Sequence, residues 1–293
     1  MLSPEWIRKI RQVHIRTGHL VNTVMAGDYR SAFRGVGMEF EEVREYVPGD
    51  DVKSIDWNIT ARTGRPHVKR YREERELVIW LLVDMSASGT FGTAESAKRD
   101  VMAETAAILA FNAIRNNDKV GAILFSDRVE GYIPPKKGAS HVWRVIKEVL
   151  THEPRGRGTD LAEALRFFGG VARKRSVAFL VSDFLAEGYE GPLRIAARRH
   201  ELIGVLVRDP GDGRLPPAGL VEVEDLETGA TAVLDASDPR ARAAYERLAG
   251  ERRRRALEVL RRADVDPIEI ATDGSLVDPL LRYFRQRERR RWR

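Results

Sequence analysis

The sequence of 293 residues predicts a doubly wound α/β domain, a mostly parallel sheet with helices on both faces. Three observations carry this. Leu77-Val78-Ile79-Trp80-Leu81-Leu82-Val83 is an unbroken apolar run, too short to span a membrane and β-rich enough for a strand buried on both faces. From there on, strand-length apolar runs alternate with helix-length segments, the rhythm of βα units. Strands end on Asp or Ser, at Asp84, Ser126-Asp127 and Ser182-Asp183, and open α/β sheets bind ligands outside the carboxyl ends of their strands.

Taken in order, residues 4–21 read as an amphipathic helix, with Ile7, Ile10, Val13, Ile15 and Leu20 at roughly helical spacing. A Gly-containing stretch, 34–40, and a charged segment, 41–51, follow. Pro48-Gly49 marks a turn, and Asp50 or Asp51 is placed to cap a short helix through Ile55, Trp57 and Ile59, with Trp57 expected in the core. Residues 66–76 read as an extended approach to the buried strand. Then come a helix over 94–115, a strand over 119–125, helices over 140–150 and 161–173, and a strand over 176–181. A helix over 192–199 and a strand over 201–207 continue the pattern. Short alternating segments at 220–224 and 230–234 predict a hairpin at a sheet edge. Asp238-Pro239 opens a long helix to about residue 262, Asp at the cap and Pro in the first turn. A strand over 267–271 and a helix near 279–285 complete the chain. Two units are expected: an N-terminal α+β segment, 1–75, packing on a main domain, 76–293.

Composition narrows the setting. Hydrophobic residues make up 43% of the chain, as in ordinary globular proteins. There is no cysteine, which removes disulfides, thiolate metal sites and cysteine nucleophiles together and suits a reducing interior. The first residues, Met1-Leu2-Ser3-Pro4-Glu5-Trp6, lack the basic and apolar regions of a signal peptide, and no segment reaches the ~20 apolar residues of a spanning helix. A cytoplasmic location without an integral membrane segment is the expectation. The formal charge is +6; 16 Arg against 9 Asp or Glu from Arg240 onward give that region +7, leaving about −1 before it. A basic tail can meet nucleic acid or an anionic surface. Its arginines lack interleaved aromatic platforms, so they read as a solvated helix face and a nucleic-acid partner is not expected.

The chemistry concentrates at the strand ends. Asp84, Ser86 and Ser88 alternate on the loop after the first buried strand; Thr159 lies in Arg155-Gly156-Arg157-Gly158-Thr159-Asp160, just before a helix; Asp183 follows a neighbouring strand. Small oxygen ligands of this kind suit a hard cation such as Mg²⁺. Because neutral hydroxyls outnumber carboxylates, a bound cation would keep charge with which to attract one more acid from outside. Asp160 reads as a helix cap, and Asp127 as a turn residue. Asp50, Asp51 and Asp56 read as caps and partners of Arg44 or Arg62. Gly156 and Gly158 lack the lysine of a phosphate loop, and His67, His141 and His152 share no ligand spacing.

Asp84-x-Ser86-x-Ser88, then Thr159, then Asp183 resembles the metal-ion-dependent adhesion site of von Willebrand factor type A domains, over roughly residues 76–272. Upstream, Arg44-Glu45-Tyr46-Val47-Pro48-Gly49-Asp50-Asp51 and Ser54-Ile55-Asp56-Trp57 resemble the signature of domain-of-unknown-function family 58, whose members pair such a segment with a von Willebrand A-like domain and are often encoded beside MoxR-type AAA+ ATPases. The resemblance implies that Ser86 and Ser88 hold a cation through their hydroxyls, Thr159 directly or through water, and Asp84 and Asp183 through coordinated waters. It departs from the adhesion pattern at Phe184, where Gly is usual, and at Gly89, where a larger residue is common.

The function expected is therefore non-enzymatic: a Mg²⁺-dependent (or Mn²⁺- or Ca²⁺-dependent) protein-interaction module that binds a partner's carboxylate. A MoxR-type AAA+ ATPase, or its client, is the partner the resemblance implies. The alternatives are a metal-dependent phosphoesterase or nuclease, and a nucleic-acid or anionic-surface binder acting through the Arg-rich C-terminus. The first is weakened by Ser86, which stands where dehalogenase-type phosphatases need a second Asp.

Overall fold

The structure, a computed structural model, describes residues 25–33, 38–73 and 76–291; the helix expected over 4–21 lies outside these residues. A six-stranded sheet organises the main domain. Its strands are β3 (Val78–Asp84), β4 (Lys119–Phe125), β5 (Val129–Lys136), β6 (Val177–Ser182), β7 (Glu201–Arg208) and β10 (Asp266–Ala271), in the spatial order β10-β7-β6-β3-β4-β5. All are parallel except β5, which returns antiparallel along β4. The doubly wound, mostly parallel sheet read from the sequence is thus observed.

Chain direction reverses at β3. From β3 the chain steps to β4 on one side and later to β6 on the other, so loops leaving β3, β4 and β6 open onto one crevice. Parallel register sets Asp84 opposite Phe125 and Val83 opposite Val181, which brings Asp84 and Asp183 to the same end of neighbouring strands.

Alternation along β3 divides the core. Ile79, Leu81 and Val83 face helices α1 (Ala26–Phe33), α3 (Lys98–Arg115), α4 (Ala139–Thr151) and α8 (Val277–Arg291); Trp80 and Leu82 face α5 (Leu161–Val171), α6 (Glu190–Arg199) and α7 (Pro239–Arg262). Tyr29 and Phe33 of α1 meet Phe284 of α8 ring to ring, so the N-terminal helix is part of this core.

The differences from expectation are local and have physical causes. Strand β5 was not anticipated, because Gly131, Pro134 and Pro135 break its pattern; an edge position tolerates them. Residues 66–76 do not simply lead into β3: β2 (His67–Glu73) pairs antiparallel with β1 (Met38–Glu45) in a separate ribbon. The hairpin β8 (Leu220–Glu224) and β9 (Thr231–Asp235) does not join the sheet edge but forms its own two-stranded sheet. Trp57 is 68% exposed rather than core. It opens helix α2 (Trp57–Thr63), and the buried residue there is its cap Asp56, which accepts the N–H groups of Asn58 and Ile59 and pairs with Lys69. Asp50 forms a two-pronged ion pair with Arg44, as the sequence suggested. Among the described residues, no helix is long and apolar enough to cross a membrane.

Candidate functional site

The first loop is built downward onto Asp84. This last residue of β3 is buried; its Oδ1 accepts the N–H of Ser86 at 2.9 Å and its Oδ2 the hydroxyl of Ser182 at 2.6 Å. Ser86 is extended and the chain then tightens into a 3₁₀ turn over Ala87–Thr90. The turn brings the hydroxyls of Ser86 and Ser88 to 3.1 Å of each other, both side chains buried.

The second loop is fastened to the first. Ala87 N–H donates to the carbonyl of Arg157 at 2.8 Å, and Asp160 N–H to that of Ser126 at 2.8 Å. Glu130 of β5 accepts from the Ser126 hydroxyl and from the N–H groups of Arg155 and Gly156, and these hydrogen bonds outweigh its burial and lower its pKa. Gly156 is closely approached: an added Cβ would fall 2.3 Å from both Ser126 Oγ and Asp127 Oδ1, so those side chains or the loop would have to shift. Asp160 caps α5 through the N–H of Glu163 at 2.8 Å, as expected. Thr159 donates to Oε1 of Glu227 at 2.5 Å, a residue in the turn of the β8–β9 hairpin.

The third loop carries Asp183. Its Oδ2 receives the ammonium of Lys98, the first residue of α3, at 2.8 Å; Lys98 also reaches Asp212 at 3.2 Å. Phe184, at φ 55°, adopts the left-handed conformation that favours glycine, and its N–H donates to Ser182 Oγ at 3.0 Å. Its ring is buried in the second core beside Tyr189. Burial first, and the neighbouring Asp183 charge second, push the Asp84 carboxyl up to about 7, against its hydrogen bonds from Ser182 and Ser86.

Of the five residues singled out from the sequence, hydrogen bonds join Asp84, Ser86 and Ser88, and Asp183 acts on Asp84 through its charge. Among the described residues, the Thr159 side chain hydrogen-bonds to Glu227 rather than to any of these four. It enters the group through Glu227, which lines, with Ser88, Lys98 and Asp183, a cleft of about 910 Å³ bounded by the hairpin and α7. Sequence reasoning missed Lys98, Ser182 and Glu227. Lys98 had a usable signal: it shares one helix face with Val101, Met102 and Thr105, a buried cation in search of an acid. Glu227 had none, for Asp225-Leu226-Glu227-Thr228-Gly229 reads as an ordinary turn.

The donor set fits a hard divalent cation. Ser86 and Ser88 bring two hydroxyls within 3.1 Å of each other on the loop that Asp84 anchors, and oxygens of this kind are the ligands a hard cation takes. Among the described residues, no cluster of three His, Cys, Asp or Glu side chains is placed to hold a metal, so a cation here would depend on the serine and threonine hydroxyls.

Residues 42–255 match the family described as Protein of unknown function DUF58. An uncharacterized protein of Mycobacterium tuberculosis is 33% identical over 290 residues, 98% of this chain and 91% of that one. A second, from Mycobacterium avium, is 28% identical over 160 residues, 54% of this chain and 94% of that one. Among solved structures, an aerotolerance-related membrane protein from Bacteroides fragilis superposes with a TM-score of 0.50 at 14% identity, over 73% of this chain and 99% of that one; the likeness concerns the fold alone. The chain belongs to the DUF58 family and has a doubly wound, mostly parallel α/β fold.

Proposed function

We propose that this protein is a non-enzymatic docking module whose strand-end site holds a divalent cation, Mg²⁺ or a similar ion such as Mn²⁺ or Ca²⁺, and through it a partner's carboxylate. The observation that carries the reading is the 3.1 Å approach of the Ser86 and Ser88 hydroxyls on the loop that the buried Asp84 anchors. Ser86 and Ser88 would hold the ion directly, Thr159 directly or through water, and Asp84 and Asp183 through waters. A dication bound by neutral oxygens supplies unneutralised charge for an incoming acid. Asp84, fixed by Ser182 and the Ser86 amide, orients the first loop. Glu130 orients the second by gathering the amides of Arg155 and Gly156.

The site offers little to a hydrolase. Ser86 stands where a phosphatase's second carboxylate would be. The basic C-terminus is likewise engaged internally. Arg253 pairs with Glu269 at 2.6 Å, Arg255 with Glu187 at 3.2 Å, Arg285 with Asp28 at 2.8 Å and Arg290 with Asp266 at 3.0 Å. That supports docking over capture of an anionic surface.

The partner we propose is a MoxR-type AAA+ ATPase or its client, with this chain as adaptor or co-chaperone in the cytoplasm; the support is the family's resemblance and, for the compartment, the cysteine-free composition. Calorimetric titration with such an ATPase tests it. Binding should require Mg²⁺ and be lost in Asp84→Ala; equal affinity in EDTA would remove the cation from the mechanism.

A further inference from the structure

The hairpin that carries Glu227 is a preorganised device for presenting one carboxylate. Asp225 accepts the N–H groups of Glu227 and Thr228 at 2.9 and 3.0 Å, and the Gly229 N–H closes onto the Asp225 carbonyl at 2.7 Å. Arg157, in the same loop as Thr159, clamps the turn by donating to the Leu226 carbonyl at 3.1 Å and pairing with Glu224 at 3.5 Å. Glu227 Oε1 accepts a hydrogen bond from the Thr159 hydroxyl. Glu227 lines the same cleft as Ser88 and Asp183.

The same hairpin is fastened at its turn, by Arg157 and Thr159, and not through the main sheet. It shares no ladder with the main sheet, and Leu220 and Val233 are 75% and 66% exposed. Segments with few buried contacts and exposed ladders open at low free-energy cost. A carboxylate held against Thr159 by a preorganised turn, on an element outside the main sheet, is placed to act as a removable plug.

We propose that Glu227 is the site's resident acid: it takes from within the place that a partner's carboxylate would take, so a partner docks by displacing the β8–β9 hairpin. The proposal rests on the cation reading above and adds what regulates access to the site. It also defines the partner's chemistry: the docking segment must present an acid on a piece of chain able to occupy the cleft beside α7.

Manganese titration of the full chain, followed by calorimetry and water-proton relaxation, tests this with acetate as the carboxylate probe. In the wild type, Mn²⁺ binds, acetate leaves the relaxation unchanged, and hydrogen exchange of residues 220–235 slows on loading. In Glu227→Ala, Mn²⁺ affinity falls about tenfold or more, bound Mn²⁺ gains exchangeable water, millimolar acetate reverses that gain, and the slowing of exchange disappears. Glu227→Gln keeps size and the Thr159 contact, so its loss of affinity cannot come from misfolding. Wild-type affinity and relaxation in both Glu227 variants, with binding lost in Asp84→Ala, overturns the resident-acid role alone and leaves the cation site standing. A wild-type chain that binds no Mn²⁺ overturns both.

Discussion

Lys98 Nζ lies 2.8 Å from Asp183 Oδ2, and the two side chains are only 2% and 3% exposed. An isolated ammonium at that depth would be costly; here burial opposes the charge, but Asp183 and Asp212 together outweigh it and raise the Lys98 pKa. The helix start at α3 is thereby tied to the strand end of β6, and the carboxylate pair at the crevice receives one internal positive charge.

Lys98→Met should accordingly cost about 3–5 kcal/mol, because it leaves Asp183 buried without a counter-charge close to Asp84. Urea unfolding reads that loss. Added Mg²⁺ should stabilise the variant more than the wild type, since the vacated charge favours a cation. Wild-type stability of Lys98→Met in EDTA would show that Asp183 is solvated, contrary to its burial here.

Two nearby glycines provide a contrast within one loop. Gly156→Ala forces a Cβ against Ser126 Oγ and Asp127 Oδ1 at 2.3 Å, and those side chains or the backbone that carries Thr159 must move. A loss of about 1–3 kcal/mol is expected, together with weakened cation binding. Gly158→Ala meets Asp127 Cβ at 3.6 Å, ordinary contact, and should change neither quantity measurably. Equal behaviour of the two variants in thermal melts and Mn²⁺ titrations would contradict this geometry.

Tryptophan burial separates what the sequence could and could not say. Trp80 is 2% exposed, edge-on to Phe168 and stacked on Tyr132, so Trp80→Ala should cost about 3–5 kcal/mol. Trp57, at 68% exposure, should tolerate alanine within about 0.5 kcal/mol. Equilibrium unfolding of both variants checks the pair, and a large loss in Trp57→Ala would mean that α2 is packed against something.

The buried strands were legible because their signal is local: 120–125 and 202–207 are continuous runs without a charged or polar side chain, and the register that aligns Asp84 with the strand before Asp183 follows from parallel pairing. Asp160 and Asp238 were legible as caps for the same reason. The elements missed are those whose meaning lies in a distant partner. Strand β5 is a strand only because β4 offers it an edge. Lys98 is stable only because Asp183, 85 residues away, and Asp212 meet it. The Glu227 contact to Thr159 spans 68 residues and leaves no mark on the composition of either segment.

His200 gives the fold a pH dependence of definite sign. The side chain is 3% exposed, lies 4.7 Å from the Phe168 ring centroid, and shares a hydrogen bond with Ser176 at 3.1 Å. Burial first, then the charges of Arg199 and Arg175, lower its pKa from 6.5 to about 4. Between these values the unfolded chain binds the proton and the folded chain does not. The stability His200 permits is therefore complete above about pH 6.5 and falls as the pH drops towards 4, by roughly 3 kcal/mol over the whole window. Asp118, raised to about 6 chiefly by burial, slopes the other way, so the wild-type curve alone is not diagnostic. The difference between wild type and His200→Gln isolates the histidine: denaturant midpoints at pH 7 and pH 4.5 should fall less in the variant. Parallel curves would mean that the imidazole takes up its proton in the folded state as freely as in the unfolded one, and that the pocket between Phe168 and Ser176 is open to water.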